Sequence, residues 1–175
     1  MPRPNSILTC ILALGLGAIA SAASPYSFKL NESRCRASTP DEVKWLQSSA
    51  GDKDKWVPFL AFTRTCPVIS PNKRTVLLLI TASAERYYKH QPGRQAAAVP
   101  LPPARLFLPH GHLCGTLLYA FPDDPPLEMS VRFTDWRDSL PFKLEMEITD
   151  PTAAGNRRIT LLWDPAANTY QEKTK

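Results

Sequence analysis

The chain has 175 residues, and its 21 basic and 16 acidic side chains give a formal net charge of +5. The positive charge is spread along the sequence and is not concentrated in a stripe of Lys and Arg, which argues against a nucleic-acid-binding protein. A chain of this length folds as one domain whose core needs neither a metal nor many disulfides.

The first 22 residues have the pattern of a secretory signal peptide. Arg3 precedes an uncharged apolar stretch over residues 7–20, and the small residues Ala22 and Ala23 follow it. Signal peptidase requires small residues, so we expect cleavage after Ala22 or Ala23. The stretch is shorter than the roughly 20 apolar residues that span a bilayer. The sequence therefore predicts a signal peptide over residues 1–22 and a single exported β-rich domain over residues 23–175, secreted or periplasmic and not membrane-spanning.

The cysteine content predicts one disulfide in the exported domain. Cys10 falls in the predicted signal peptide, which leaves Cys35, Cys66 and Cys114 in a compartment where disulfides form. Three cysteines cannot all pair, so one of them is left over. We predict a bridge between Cys35 and Cys66, because it would tie the helix predicted between them to a sheet. A bridge between Cys66 and Cys114 is the alternative.

A glycosylation sequon precedes the first of these cysteines. Asn31-Glu32-Ser33 has the acceptor sequence for an N-linked glycan, although such triplets also arise by chance. Asn31 is therefore a candidate glycosylation site only if a eukaryotic secretory pathway makes the protein.

One segment carries the signature of a helix N-terminus. Thr39 is suited to the N-cap, Pro40 to the first helical position, and Glu42 to the third position of a capping box. Apolar residues then recur on one helical face, and Gly51 follows where a C-cap would lie. The pattern predicts a short amphipathic helix that packs on the domain.

The rest of the chain is typical of strands. Residues 75–81 form a continuous apolar run, which predicts a central strand buried on both faces. Residues 56–65 are apolar and aromatic with one proline, which predicts an edge strand that ends at Cys66-Pro67. Apolar and polar residues alternate over 127–134 and 142–149, as expected for strands with one buried face.

Two further short strands are predicted near 158–163 and 169–172. Many short strands with regular turn signals and without βαβ alternation predict a mainly β fold. We expect an antiparallel β-sandwich or small barrel with one short N-terminal α-helix.

A short segment contains residues that ligate metals. In an extended conformation His110, His112 and Cys114 would project from one face, and imidazole with thiolate is a ligand set for Zn²⁺ or copper. The simpler interpretation is that Pro109-His110-Gly111-His112 forms a turn at a hairpin tip, with Cys114 facing inward. We therefore expect no bound cofactor.

Trp136 and Arg137 are candidates for partner binding. They lie between two predicted strands, and tryptophan and arginine are enriched at binding hot spots. The alternative is that Trp136 folds back and covers one end of the sandwich.

Catalytic patterns are weak. The chain has three histidines, none in a recognisable triad context, and it lacks a G-x-S-x-G sequence. We therefore expect a non-enzymatic exported protein that binds another macromolecule, with a protein as the expected partner. The alternatives are a metal-binding protein, a secreted viral or fungal effector glycoprotein that acts on a host protein, and a small secreted hydrolase.

Overall fold

The computed structural model describes residues 25–49, 53–90, 101–117, 128–149 and 156–173. Over these ranges ten strands form two antiparallel sheets of five strands each. The sheets are not closed into a barrel, so the sandwich is the confirmed member of the two predicted architectures. The predicted signal peptide, residues 1–22, lies outside the described residues.

Sheet A is built mainly from the C-terminal half of the chain. The strands that alternation predicted are confirmed, and their apolar residues Val131, Phe133, Leu144 and Met146 are buried on one face. In spatial order the sheet contains β1 (Phe28–Lys29), β7 (Glu128–Arg137), β8 (Leu140–Thr149), β9 (Asn156–Asp164) and β10 (Thr169–Glu172).

Sheet B comes from the preceding part of the chain. The apolar run predicted as a central strand is confirmed as β4, which has two strands on either side and is buried from Leu77 to Ala82. In spatial order the sheet contains β2 (Arg36–Ala37), β3 (Thr63–Ile69), β4 (Thr75–Ala82), β5 (Ala104–Phe107) and β6 (Leu113–Leu117).

The main core lies between the two sheets. Because side chains alternate along a strand, Leu77 and Leu79 of β4 face this core together with Leu106 of β5. Phe133 and Leu144 face it from sheet A. Both inner faces therefore exclude water, as in other sandwiches whose sheets pack face to face.

A second core lies on the outer face of sheet B. Ile80 and Phe107 point away from the sandwich and pack against helical segments that bring Leu46, Trp56 and Phe59. The helical segments are α1 (Pro40–Ser48), α2 (Lys53–Trp56), the 3-10 helix Val57–Phe62 and α3 (Ala84–Lys89).

This second core corrects the strand predicted over residues 56–65. Trp56 and Phe59 are buried in helical turns, and the strand begins at Thr63 and runs through Cys66-Pro67 to Ile69. The aromatic residues that suggested a strand instead pack on the outer face of β4, a contact that local pattern does not reveal.

The predicted capping box of α1 is present and belongs to a larger network. Glu42 accepts a hydrogen bond from the Thr39 amide at 2.8 Å, and its own amide donates to Thr39 Oγ1 at 3.3 Å. The carboxylate also accepts two hydrogen bonds from the Arg36 guanidinium, at 2.6 and 2.8 Å, and one from the Thr65 hydroxyl at 2.8 Å. Burial alone would raise the pKa of Glu42, but these donors outweigh it and lower the pKa. The network joins α1 to β2 and β3.

Candidate binding surface

The predicted disulfide is confirmed and fixes the start of the domain. Cys35 is bonded to Cys66, with their Cα atoms 4.2 Å apart. Cys35 directly precedes β2, and Cys66 lies within β3, so the bridge attaches the N-terminal segment to sheet B. Cys114 is free and buried, which excludes the alternative pairing of Cys66 with Cys114.

The histidines and Cys114 of the predicted metal segment do not converge. His110 and His112 are exposed at the turn between β5 and β6, where their rings are nearly parallel with centroids 6.4 Å apart. Cys114 is on the inner face of β6, and its thiol donates to the Leu106 carbonyl at 3.3 Å. Burial raises the pKa of the Cys114 thiol to about 12, which keeps it protonated at neutral pH.

Across the part of the chain that the structure describes, no group of three or more His, Cys, Asp or Glu side chains is placed to hold a metal ion. Metal binding by His110 and His112 stays an alternative hypothesis that titration can decide.

Trp136 and Arg137 lie in strand β7 and not in a loop. The Trp136 ring is 3% exposed, donates from Nε1 to the Phe133 carbonyl at 3.2 Å, and packs edge-on against Tyr26. The left-handed backbone at Asp135, with φ of 53°, interrupts the alternation and lets Trp136 follow Phe133 into the core. The Trp136 ring is therefore not presented to a partner. It closes one end of the core, as the alternative interpretation has it.

Arg137 remains accessible beside this buried tryptophan. Its guanidinium pairs with Asp135 at 2.9 Å and lies 4.5 Å from the centroid of the Phe142 ring. The side chain is held by these two contacts and is 45% exposed. Partner binding by Arg137 stays a prediction.

Asn31 is exposed at the start of a short 3-10 turn, Glu32–Arg34. Its side-chain carbonyl accepts a hydrogen bond from the Ser33 amide at 2.9 Å and thereby caps the turn. The position is accessible, and whether it is glycosylated stays a prediction.

The two sides of the sandwich differ in what covers them. Helices cover the outer face of sheet B, whereas no described element packs on the outer face of sheet A. The side chains of sheet A that alternation directs to this face are mostly polar or charged: Lys29, Ser130, Arg132, Thr134, Lys143, Glu145, Glu147, Thr149, Arg158, Thr160, Leu162, Gln171 and Lys173. We call this surface the sheet A face.

A shallow groove of about 330 Å³ crosses the sheet A face. It is lined by Ser130 and Arg132 of β7, Glu145 and Glu147 of β8, and Arg158 of β9. Glu145 pairs with Lys143 at 2.5 Å, and Glu147 pairs with Arg158 at 3.2 Å. The first pair is half-exposed and the second is exposed, so each adds little stability and can exchange partners.

Sequence reasoning predicted the polar alternation of β7 and β8 but not this surface. The register between strands decides which charged residues lie side by side. The strand that pairs with β7 on its other side, β1, comes from the N-terminal part of the chain. The only signal in the sequence was the clean alternation of charged and apolar residues.

Comparison with known proteins gives no relative from which a function can be transferred. No protein-family model, curated protein sequence or solved structure matches the chain. Within the described ranges no helix has the length and apolar character needed to cross a membrane.

Proposed function

We propose that the protein is exported and works by binding another macromolecule through the sheet A face. The observation that carries this proposal is the asymmetry of the sandwich, in which helices cover one sheet and none of the described elements covers the other. A face rich in charged side chains around a groove suits an interface in which charge complementarity sets partner choice.

The disulfide supports the export part of the proposal. Disulfides persist in secreted and periplasmic proteins and are rare in the reducing cytosol. The bridge between Cys35 and Cys66 is integrated in the fold, because it joins the N-terminal segment to β3. The apolar stretch over residues 7–20 suits a signal peptide. N-terminal sequencing of protein recovered outside the cytosol should find Ala23 or Ser24 first, and an intact Met1 would contradict export by cleavage.

Two matched variants test the binding surface. Leu162 on the sheet A face is 39% exposed, and Val57 on the helical side is 62% exposed. Replacement of either by Glu puts a charge at an exposed apolar position, but on opposite sides of the sandwich.

Immobilised wild-type protein and both variants are incubated with an extract of the compartment in which the protein occurs, and the bound macromolecules are identified. We expect Leu162→Glu to lose a partner that Val57→Glu retains. Equal capture by both variants, with melting temperatures like that of the wild type, would contradict the use of the sheet A face.

A further inference from the structure

Two cations face each other across the β1–β7 strand pair, at one edge of sheet A. Lys29 of β1 is the register partner of Arg132 of β7. Both side chains are exposed on the sheet A face, since their neighbours Phe28 and Phe133 point into the core. Residues directly opposite in an antiparallel pair have Cβ atoms about 4.5–5.5 Å apart, and like charges in such a position disfavour the pair.

Neither cation has an anionic partner among the described residues. The nearest carboxylate by register belongs to Glu145, the β8 partner of Arg132, and it is engaged by Lys143 at 2.5 Å. The other carboxylate of the groove, on Glu147, is engaged by Arg158. The Lys29–Arg132 pair is therefore a positive site without a paired carboxylate. It lies at the edge of the sheet A face, whereas the carboxylates of the groove are paired with Lys143 and Arg158.

We infer that Lys29 and Arg132 form the docking site for a carboxylate of an acidic segment in a protein partner. This inference rests on the proposed function and names the chemistry of the partner. A guanidinium holds a carboxylate through two parallel hydrogen bonds, and a lysine beside it adds a third charged donor. A docked carboxylate would also remove the repulsion between the two cations.

The position of the pair favours a peptide over an extended polyanion. β1 is one of the two edge strands of sheet A, so a chain can approach Lys29 along that edge of the sheet. Further into the face, Glu145 and Glu147 line the groove beside Arg132. Their carboxylates would repel a continuous row of phosphates, as on a nucleic acid or an anionic membrane, whereas a carboxylate localised at the edge avoids them.

The probe for this site is a fluorescein-labelled synthetic peptide of alternating Glu and Thr, with a Lys and Thr peptide of equal length as the charge-reversed probe. Binding to the disulfide-bonded protein is measured by fluorescence anisotropy at low and at physiological salt. We expect the wild type to bind the acidic peptide and not the basic one. The affinity for the acidic peptide should fall at least about tenfold in the variant Lys29→Gln/Arg132→Gln, because this variant loses more than one charge-assisted contact.

A control variant separates the site from net charge. Lys89 lies on α3, on the opposite side of the sandwich, and is exposed. Lys89→Gln should bind the acidic peptide as the wild type does. An equal loss in Lys89→Gln, or no loss in the double variant, would overturn the inference.

A charge reversal at Lys29 separates binding from folding. Lys29→Glu places an acid opposite Arg132, which replaces repulsion by a cross-strand ion pair. We expect its melting temperature to equal or exceed that of the wild type, while its binding of the acidic peptide falls at least as far as in the double variant.

Vesicles of phosphatidylglycerol test whether the site binds a lipid surface instead of a peptide. Binding to these vesicles through Lys29 and Arg132 without binding of the peptide would overturn the inference in favour of a lipid surface. If neither probe binds but Leu162→Glu still loses a native partner, the docking inference fails and the proposed function stands.

Discussion

Gly111 lies directly against the indole ring of Trp45, and a Cβ atom at position 111 would be 2.6 Å from both Cε2 and Nε1 of that ring. Gly111 also has a φ of 90°, in the region that favours glycine. The contact docks the turn between β5 and β6 onto α1, and Trp45 packs in turn against Phe107. A single residue thus satisfies both a backbone and a packing requirement.

Gly111→Ala is therefore expected to lower the free energy of unfolding by about 2–4 kcal/mol, from backbone strain and overpacking together. The matched control is Gly115→Ala in β6, where an added Cβ would be 3.5 Å from Leu106 Cβ, an ordinary contact distance. We expect the control to change stability by less than about 1 kcal/mol. Urea denaturation measures both variants, and equal effects would contradict the close approach to Trp45.

The carboxylate of Glu42 should contribute strongly to stability. Its side chain is 5% exposed and accepts hydrogen bonds from Arg36, Thr39 and Thr65. We expect Glu42→Gln to cost about 1.5–3 kcal/mol, as for charged hydrogen bonds of a buried group. The control is Asp41→Asn, since Asp41 is exposed and pairs with exposed Lys44, so that it should change stability by less than about 0.5 kcal/mol.

The same carboxylate predicts a pH dependence with a defined sign. The folded-state pKa of Glu42 lies below its ordinary value of 4.5, because the hydrogen-bond donors outweigh the effect of burial. Its contribution is therefore complete above about pH 4.5 and is lost as the pH falls through the lower folded-state value. Wild type and Glu42→Gln should differ least in acid. A difference that instead grows as the pH falls would contradict the assignment.

The disulfide should stabilise the fold through its effect on the unfolded chain. Cys35 and Cys66 are separated by 31 positions, and closure of a loop of this length is worth roughly 3–4 kcal/mol in the chain-entropy model. We expect Cys35→Ala/Cys66→Ala to lose that amount in guanidinium denaturation. Reductant should destabilise the wild type and leave the double variant unchanged, since Cys114 is free. A loss below about 1 kcal/mol would contradict this account.

The register of β8 predicts opposite outcomes for two adjacent residues. Met146 is 1% exposed between the sheets, so Met146→Lys should unfold the domain by placing an unpaired charge in the core. Glu145 lies on the sheet A face in a half-exposed ion pair with Lys143, so Glu145→Gln should cost less than about 1 kcal/mol. Circular dichroism and thermal melting distinguish them, and similar melting curves would mean that the register is shifted by one residue.

Metal titration decides the hypothesis about His110 and His112. A cysteine ligand must lose its proton, and burial raises the pKa of Cys114 to about 12. We expect calorimetry with Zn²⁺ or Cu²⁺ at neutral pH to show no tight stoichiometric complex. A one-to-one complex of submicromolar affinity that disappears in His110→Ala/His112→Ala would contradict this expectation.

The features that the sequence predicted are those whose causes are local. Thr39 and Glu42 satisfy each other within one helical turn, and the alternation around Met146 follows from the two-residue period of a strand. The disulfide was predictable because few cysteines were available and the helix between Cys35 and Cys66 needed an anchor. These signals were enough for a mainly β antiparallel fold, and the structure decided between the sandwich and the small barrel.

The features that the sequence did not predict depend on residues far apart in the chain. Trp56 and Phe59 lie in helical turns that pack on the outer face of sheet B. Trp136 points into the core because the left-handed backbone at Asp135 interrupts the alternation. The pairing of Lys29 with Arg132 requires the register between the two ends of the chain. Neither propensity nor periodicity carries such information.

The pairing of β1 with β7 also constrains the order in which the domain can assemble. β1 is made first, but its hydrogen-bonding partner is made only after all of sheet B. Closing the long loop between β1 and β7 costs conformational entropy before the strands make contact, and this cost slows folding. The β7–β8 hairpin, closed by the two left-handed residues Asp138 and Ser139, joins strands that are adjacent in the chain, so it closes only a short loop once both strands are made. An emerging chain therefore cannot complete sheet A until its C-terminal half is free.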